Sequence, residues 1–344
     1  MRKTRVRLRD VADKTGFSAN TVSLALRESP RIPEATRTLI QKAAADLDYT
    51  PNRIAQSLVS QESMTVGLVL TDIRNPILTQ VAQEIARGLS EHGYATLFAT
   101  SDNTMAREIE AIQTFRQRQV DGILIYPTDH RDIDHVRLLR ERGYPVVSLV
   151  ADREKAIDTV SVDEHLGAWK ATRHLLEIGR RRIAFLDSAA PLGNTEKQDG
   201  YMQALAESPI SPDPELRLAV PGHGIEDGFR ATASLWARGL RPDAIIATTD
   251  SVALGVQRWC EAAGLAIPDD VAIAGFDDIE FARLSSVPIS TVAYPVGQIA
   301  DTAIGRLVEL MQAAGPLPAP AEHLLDPRLI VRQSTAGADV AEPD

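Results

Sequence analysis

The spacing of apolar positions along this chain changes near residue 65. Before that point Leu8–Thr15, Ser18–Leu26 and Pro33–Leu47 carry apolar residues at helical spacing, and the pattern predicts three short helices and no strand. Gly16 separates the first two, and Pro33 stands where a helix accepts proline. At about 100° per residue, Val22, Ala25 and Leu26 fall on one stripe of the second segment. Asn20, Leu24 and Arg27, at i, i+4 and i+7, fall on the other side, and Ser18 occupies the N-cap position. The stretch TPNRIAQSLVS, Thr50 to Ser60, is a proline-opened helical fragment. Isolated helices below about 12–15 residues are marginal in water, so its order is expected to be conditional.

From residue 65 onward short aliphatic runs alternate with amphipathic segments. TVGLVLT, ATLFAT, DGILIY, PVVSLV, RIAFLD, RLAV, DAIIAT and VAIAGF predict buried strands joined by crossover helices, which means parallel α/β architecture. Their number fits two three-layer subdomains with a break near residue 160, and it also fits a single (β/α)8 barrel. After STVA, Ser290 to Ala293, the pattern predicts a helix over about Pro295–Gln312, a loop at GPLPAP and one last strand through HLLDPRLIVR. The tail from Ser334 is expected to be disordered.

Composition narrows the function classes. The 344 residues are 44% hydrophobic and 24% charged, as in a globular protein. No apolar run approaches the roughly 20 residues of a membrane span. MRKTRVRLRD is basic but is followed by polar residues where a signal peptide would be apolar, so a cytoplasmic location is expected. The single cysteine, Cys260, rules out an intrachain disulfide framework and reads as a core residue. Residues 1–60 hold 11 Lys and Arg against 6 Asp and Glu, a balance of +5, whereas the rest holds 26 against 41, a balance of −15. A basic end on an acidic body points to a polyanion contacted at that end.

The second predicted helix fits a helix-turn-helix reader, packing its small stripe inward and offering the opposite face to a DNA major groove. Asn20 can pair with an adenine edge, and Leu24 or Ala19 can meet a thymine methyl. Thr21, Ser23 and the helix N-terminus suit phosphates. An exposed Leu24 is equally compatible with ordinary surface. In the α/β part, Asp72, Asn75, Asp163, Asp250 and Asp277 follow strand ends, where open parallel sheets bind ligands. Carboxylates there suit sugar hydroxyls but also cap helices. Both readings stand for Asp163 and Asp250, while Asp277, in GFDD, is favoured as a ligand. A rival pattern lies in ELRLAVPGHGIEDG, Glu215 to Gly228, whose glycines imitate a dinucleotide fingerprint with one residue too many between the last two. No Ser-His-Asp, Cys-His or HExxH-like spacing emerges, so no catalytic residue, metal or cofactor is expected. A secreted solute receptor would share the core but would need an export signal and no basic headpiece.

LRDVADKTGFSANTVS, YTPNRIAQSL, VGLVL with Asn75 and Pro76, QVDGILI, HLLEIGRRRI, DSVALG, IPDDVAIAGFDD and PRLI follow one another over residues 6–333. In these stretches the chain resembles the lactose repressor/galactose repressor (LacI/GalR) family of bacterial transcription regulators. The resemblance implies an all-α helix-turn-helix headpiece at 1–49 and a hinge helix or linker at 50–63. It further implies a periplasmic-binding-protein-like α/β core of two parallel-sheet subdomains, one from 64–162 and 293–325 and the other from 163–292 and 326–335, with a tail at 336–344. The implied protein is a homodimer that binds a near-palindromic double-stranded operator under control of a small effector, a sugar or sugar derivative. Ala19, Asn20 and Leu24 match the family's base readers, and Leu24 stands where Arg or His is frequent. The DNA-facing set is then Ser18, Ala19, Asn20, Thr21, Ser23, Leu24 and Arg27, with Leu58 as a minor-groove wedge beside Asn52, Ala55 and Gln56. Lys197 takes the place of an effector-binding Arg, His223 of a stacking aromatic, Tyr294 of a Gln and Thr249 of an Asn. The loop Pro191–Lys197 is shorter than usual. Lys197 and His223 together raise the expectation of an acidic sugar derivative.

Overall fold

The computed structural model describes residues 6–50, 62–152, 154–188 and 194–336. They fall into two compact units, within Met1–Ser63 and Met64–Asp344.

The first unit holds helices α1 (Leu8–Thr15), α2 (Ala19–Leu26) and α3 (Glu34–Asp46). Gly16 stops α1 in the left-handed region at φ 74°, a conformation that costs glycine nothing, and so turns the chain into α2. Val11, Ala12, Val22, Ala25, Ile40 and Ala44 close a small core among the three helices, with Leu26 packed at its edge. The stripe of α2 seen in the sequence is therefore its buried face.

The second unit contains two six-stranded sheets. The first is built from β1 (Thr65–Leu70), β2 (Ala95–Thr100), β3 (Gly122–Ile125), β4 (Val146–Ser148) and β5 (Asp158–Val162). The chain then passes to the second sheet with β6 (Ile183–Asp187), β7 (Arg217–Ala219), β8 (Ala244–Ala247), β9 (Ala272–Asp277) and β10 (Ser290–Ala293). It returns to add β11 (Glu322–Leu325) to the first sheet and crosses again to place β12 (Arg328–Ile330) antiparallel to β10. The strand orders are β11-β5-β4-β3-β1-β2 and β12-β10-β9-β8-β6-β7. Both sheets are open, which removes the closed-barrel alternative.

Helices cover both faces. On the first sheet these are α4 (Pro76–Glu91), α5 (Met105–Gln117), α6 (Asp134–Glu141) and, arriving late in the chain, α12 (Val296–Met311). On the second they are α7 (Glu164–Glu177), α8 (Glu196–Ala206), α9 (Ile225–Ala237) and α10 (Asp250–Ala262), with short α11 (Glu280–Arg283) and α13 (Gln333–Ala336). The chain thus passes between the sheets three times, after β5, after β10 and between β11 and β12.

Three expectations need correction. Asp158–Val162 is a fully buried strand that was not among the expected ones, and it adds a fifth strand to the first sheet just before the chain leaves it. HLLDPRLIVR is not one strand: it breaks at Asp326-Pro327 and its halves join different sheets. Proline has no N–H for a ladder and restricts the residue before it, which suits a crossing point. Order also extends past Ser334, because Ser334 and Thr335 are buried. The Ser334 hydroxyl donates to Ile273 O at 2.6 Å and the Thr335 hydroxyl lies 2.7 Å from that of Ser290.

One buried ionic cluster fastens the late segments to the first sheet. Asp158, wholly buried, accepts from Arg140 Nε and Arg306 Nε, both at 2.7 Å. The same two arginines donate to the carbonyls of Pro318 and Ala319, which holds the proline-rich loop in place.

Candidate functional site

Two surfaces carry candidate chemistry. The first is the outer face of α2. Ser18 caps the helix by accepting from Thr21 N at 3.1 Å, which satisfies one of the free N–H groups of the first turn. Val22 and Ala25 are fully buried, while Ala19, Asn20 and Arg27 are exposed and Thr21, Ser23 and Leu24 are half-buried. All seven expected DNA-facing residues therefore lie on or beside one short helix whose opposite stripe is clamped by the core. Asn52, Ala55, Gln56 and Leu58 lie outside the described residues.

The second is a cavity of about 900 Å³ between the two sheets. Its walls come from the carboxyl ends of the strands: Thr71 and Asp72 after β1, Tyr126 and His130 after β3, Ser188 after β6, Thr249 after β8 and Asp277 at the end of β9. Glu164 and Tyr294 stand at the first two crossings, and Lys197 enters from α8. Parallel strands place their following loops at one edge, so the ends of strands far apart in sequence converge there.

Among the expected ligand residues, Asp72, Asn75, Lys197, His223, Asp277 and Tyr294 line this cavity, together with Thr249. Asn75 also caps α4, accepting from Ile77 N at 3.3 Å, with Pro76 following as the first helical residue. Asp72 is engaged by the exposed Arg74, whose hydrogen bonds hold its carboxyl below the usual range. Asp163 and Asp250 do not line the cavity. Asp163 caps α7, accepting from Leu166 N at 2.7 Å. Asp250 is not the cap of its helix, because Thr249 caps α10. Its wholly buried carboxylate accepts from Ile279 N at 2.9 Å and Thr291 Oγ1 at 2.7 Å, tying α10 to the segments around β9 and β10. The loop 191–197 is described only from Asn194.

The polar centre of the cavity is a residue the sequence reading passed over. Glu164 accepts hydrogen bonds from Tyr294 Oη and Asn194 Nδ2 and pairs with Lys197 Nζ at 3.1 Å. Lys197 Nζ also donates to Thr248 O at 3.0 Å and lies 4.8 Å from the centre of the Phe276 ring. Burial opposes charge on both groups, yet the pair outweighs it: Glu164 lies below its ordinary value and Lys197 above. Burial, and then the nearby Asp277, push Asp250 well above the carboxylate range. Burial likewise raises Asp277 to about 7, although Lys197 pulls the other way. His130 and His223 are both lowered, first by burial; Lys197 also opposes their protonation, while Glu164 favours that of His130 without reversing the direction. His223 Nδ1 lies 3.0 Å from Ser188 Oγ, and His130 packs edge-on against Tyr126.

Glu164 follows Asp163 directly, and of two adjacent carboxylates at a strand end one caps the helix while the other turns inward. The only sequence signal for it was that acidic pair. His130 had none beyond following DGILIY by a few residues.

The glycines that imitated a dinucleotide fingerprint have local causes. Asp227 accepts from Gly224 N at 3.1 Å at the start of α9, and a Cβ on Gly228 would stand 2.1 Å from Val252 O of α10. Cys260 is a buried core residue. Among the described residues no group of His, Cys, Asp or Glu is arranged to hold a metal ion, and no helix is long and apolar enough to cross a membrane.

Residues 7–52 match the family described as bacterial regulatory proteins, lacI family, and residues 172–335 match the periplasmic binding protein-like domain. The ribose operon repressor of Bacillus subtilis (strain 168) is 31% identical over 306 residues, 89% of this chain and 91% of that protein. The cellobiose complex of the transcriptional regulator CelR is similar at a TM-score of 0.71 and 27% identity, over 96% of this chain and all of that one (100%). The lac repressor dimer bound to operator and the anti-inducer ONPF shares the fold at a TM-score of 0.87 and 24% identity, covering 96% of this chain and 99% of that one.

Proposed function

The chain belongs to the lacI family of bacterial regulatory proteins, and from that premise we propose that it acts in the cytoplasm as a dimeric repressor whose affinity for a palindromic operator is set by a small effector, a sugar or sugar derivative, held between the two sheets. The observation that carries this reading is the pairing, in one chain, of a capped helix with an outward polar face and a cavity of ligand size whose mostly apolar walls hold a few convergent polar groups.

Asn20 and Leu24 are the base-reading pair of α2, Asn20 by hydrogen bonds to adenine and Leu24 by contact with a thymine methyl. Ser18, Thr21, Ser23 and Arg27 hold the helix against phosphates, and Ala19 lets the helix approach the base edges closely. Leucine cannot donate the two hydrogen bonds that Arg gives guanine, so the half-site depends on a T at that position more than on a G. Two-fold symmetry of the protein then calls for two such half-sites in inverted orientation.

In the cavity, Asp72, Asn75, Tyr126 and His130 belong to the first sheet and Ser188, Lys197, His223, Thr249 and Asp277 to the second. A polyhydroxylated ligand bridging these groups favours one relative setting of the sheets over another. Its binding is thereby linked to the DNA contact by a coupling free energy that must be reciprocal, typically about 1–3 kcal/mol. The named relatives support a sugar: one is a ribose operon repressor and another is a regulator complexed with cellobiose.

A gel-shift selection from randomised inverted repeats, followed by titration of the selected operator complex with sugars, tests the reading. Recovery of a palindrome whose affinity moves several-fold with one sugar is the expected result. Operator affinity that no sugar or derivative changes in either direction would remove the allosteric part.

A further inference from the structure

Lys197 offers the cavity far less positive charge than its position suggests. Its ammonium is 3.1 Å from Glu164 Oε1 and 3.0 Å from Thr248 O, and the rings of Phe276 and Tyr294 stand 4.8 and 5.7 Å away. Both members of the ion pair are buried, with side-chain exposures of 8% and 12%. Glu164 is itself fixed by Tyr294 and Asn194, so it cannot swing aside without breaking two further hydrogen bonds. Asp277 adds a second carboxyl next to the same ammonium. The other cation among the described lining residues, Arg74, is 88% exposed and is already engaged on Asp72. Burial disfavours the charged form of the two lining histidines, His130 and His223. An incoming carboxylate or phosphate would therefore lose its hydration, find no unengaged cation among the described lining residues and meet two carboxyl groups, a combination that buried sites reject. Hydroxyl or ammonium groups meet acceptors that suit them.

We propose that Glu164 sets the charge selectivity of this cavity: by closing an ion pair on Lys197 it bars anionic ligands, and the cavity takes polyhydroxylated molecules that are uncharged or carry an amino group, not sugar acids or sugar phosphates. This rests on the reading of the cavity as the effector site, and it replaces the acidic ligand that Lys197 and His223 suggested in the sequence. Glu164 is then a specificity residue that acts partly through another side chain, and its removal unmasks a cation.

The test is calorimetric titration of the full chain, without DNA and at pH 7.5, with inorganic phosphate as the probe. The proteins are wild type, Glu164→Gln, and Glu164→Gln combined with Lys197→Gln. Wild type is expected to show no saturable binding attributable to the cavity. Glu164→Gln should bind phosphate at least about tenfold more tightly, as a newly available charged hydrogen-bonding group implies. The double variant should lose that gain, which separates the cavity from phosphate held by the basic N-terminal unit, since the latter is unchanged in all three. A folded Glu164→Gln protein with no gain would overturn the proposal. If that variant does not fold, wild type compared with Lys197→Gln decides: saturable phosphate binding that Lys197→Gln abolishes overturns the proposal, and equal responses support it. Loss of effector control over operator binding would be a failure of the broader reading alone, because phosphate titration does not involve DNA.

Discussion

Asp277 ends β9 at φ 108°, in a region that residues with a Cβ rarely occupy, and Asp278 follows at φ 59°. That backbone carries the Asp277 carboxyl to the cavity wall, where it is 4% exposed. Its folded-state pKa of about 7 lies above the value of an unfolded aspartate. The folded chain therefore binds the proton more tightly than the unfolded one. The resulting contribution to stability falls as pH rises from about 4 to about 7 and is level beyond, by on the order of 1 kcal/mol per pH unit. Asp277→Asn is accordingly expected to gain stability relative to wild type at pH 8 compared with pH 5, measured by urea unfolding at both. A smaller effect is expected at the other surface. Ser18→Ala removes the cap of α2 and should destabilise the N-terminal unit by about 1 kcal/mol in thermal unfolding. Individual residues were unevenly legible in the sequence. The outward side of α2 follows from helical spacing alone, because its roughly two turns preserve it. Glu164 does not follow from any local pattern, since its importance comes from Tyr294, 130 residues away, and from Lys197 on a different helix.

Helix pairing supplies a test at the next scale. Helices α9 and α10 meet through glycines: a Cβ on Gly228 would stand 2.1 Å from Val252 O, and one on Gly255 would stand 2.0 Å from Ile225 O. Those distances put backbone against backbone, so no side chain can yield. Gly228→Ala should cost about 1–3 kcal/mol or more in urea unfolding of the core, as overpacking does. Gly305, exposed on α12 with nothing within 4 Å of an added Cβ, provides the contrast. Gly305→Ala should raise stability by about 0.4–1 kcal/mol, because alanine costs less backbone entropy in a helix. The strands most readily seen from sequence were the aliphatic ones, such as AIIA and AIAGFD. DTVSV escaped notice because three of its five residues are polar, although the fold buries all five. Asp158 in that strand is tolerable only because Arg140 and Arg306 reach it, and a partner 148 residues away leaves no local mark. HLLDPRLIVR failed in the opposite sense, for the apolar residues on both sides read as one strand although Asp326-Pro327 marks the change of sheet.

Charge is divided at the scale of the whole chain, +5 over residues 1–60 against −15 over the remainder. DNA binding through the basic end should therefore weaken steeply with salt, by about a thousandfold or more between 50 and 200 mM if six or more phosphates are neutralised. Binding of an uncharged sugar should scarcely respond over that range. Measuring both constants on one preparation checks the division; equal salt slopes would contradict it. Glu164 and Tyr294, joined by a hydrogen bond, sit at the first two crossings between the sheets, so a ligand that touches either acts where the chain itself connects the lobes.

The three passages between lobes have a topological consequence. Neither lobe is a continuous length of polypeptide, so a protease that severs one connection leaves two others, and the nicked molecule should stay assembled and keep its ligand. Expressing either lobe alone would require splicing segments that are distant in the gene. Inheritance and recombination must then treat the pair as one indivisible piece, whereas the N-terminal unit, joined by a single strand of chain, can be exchanged for another.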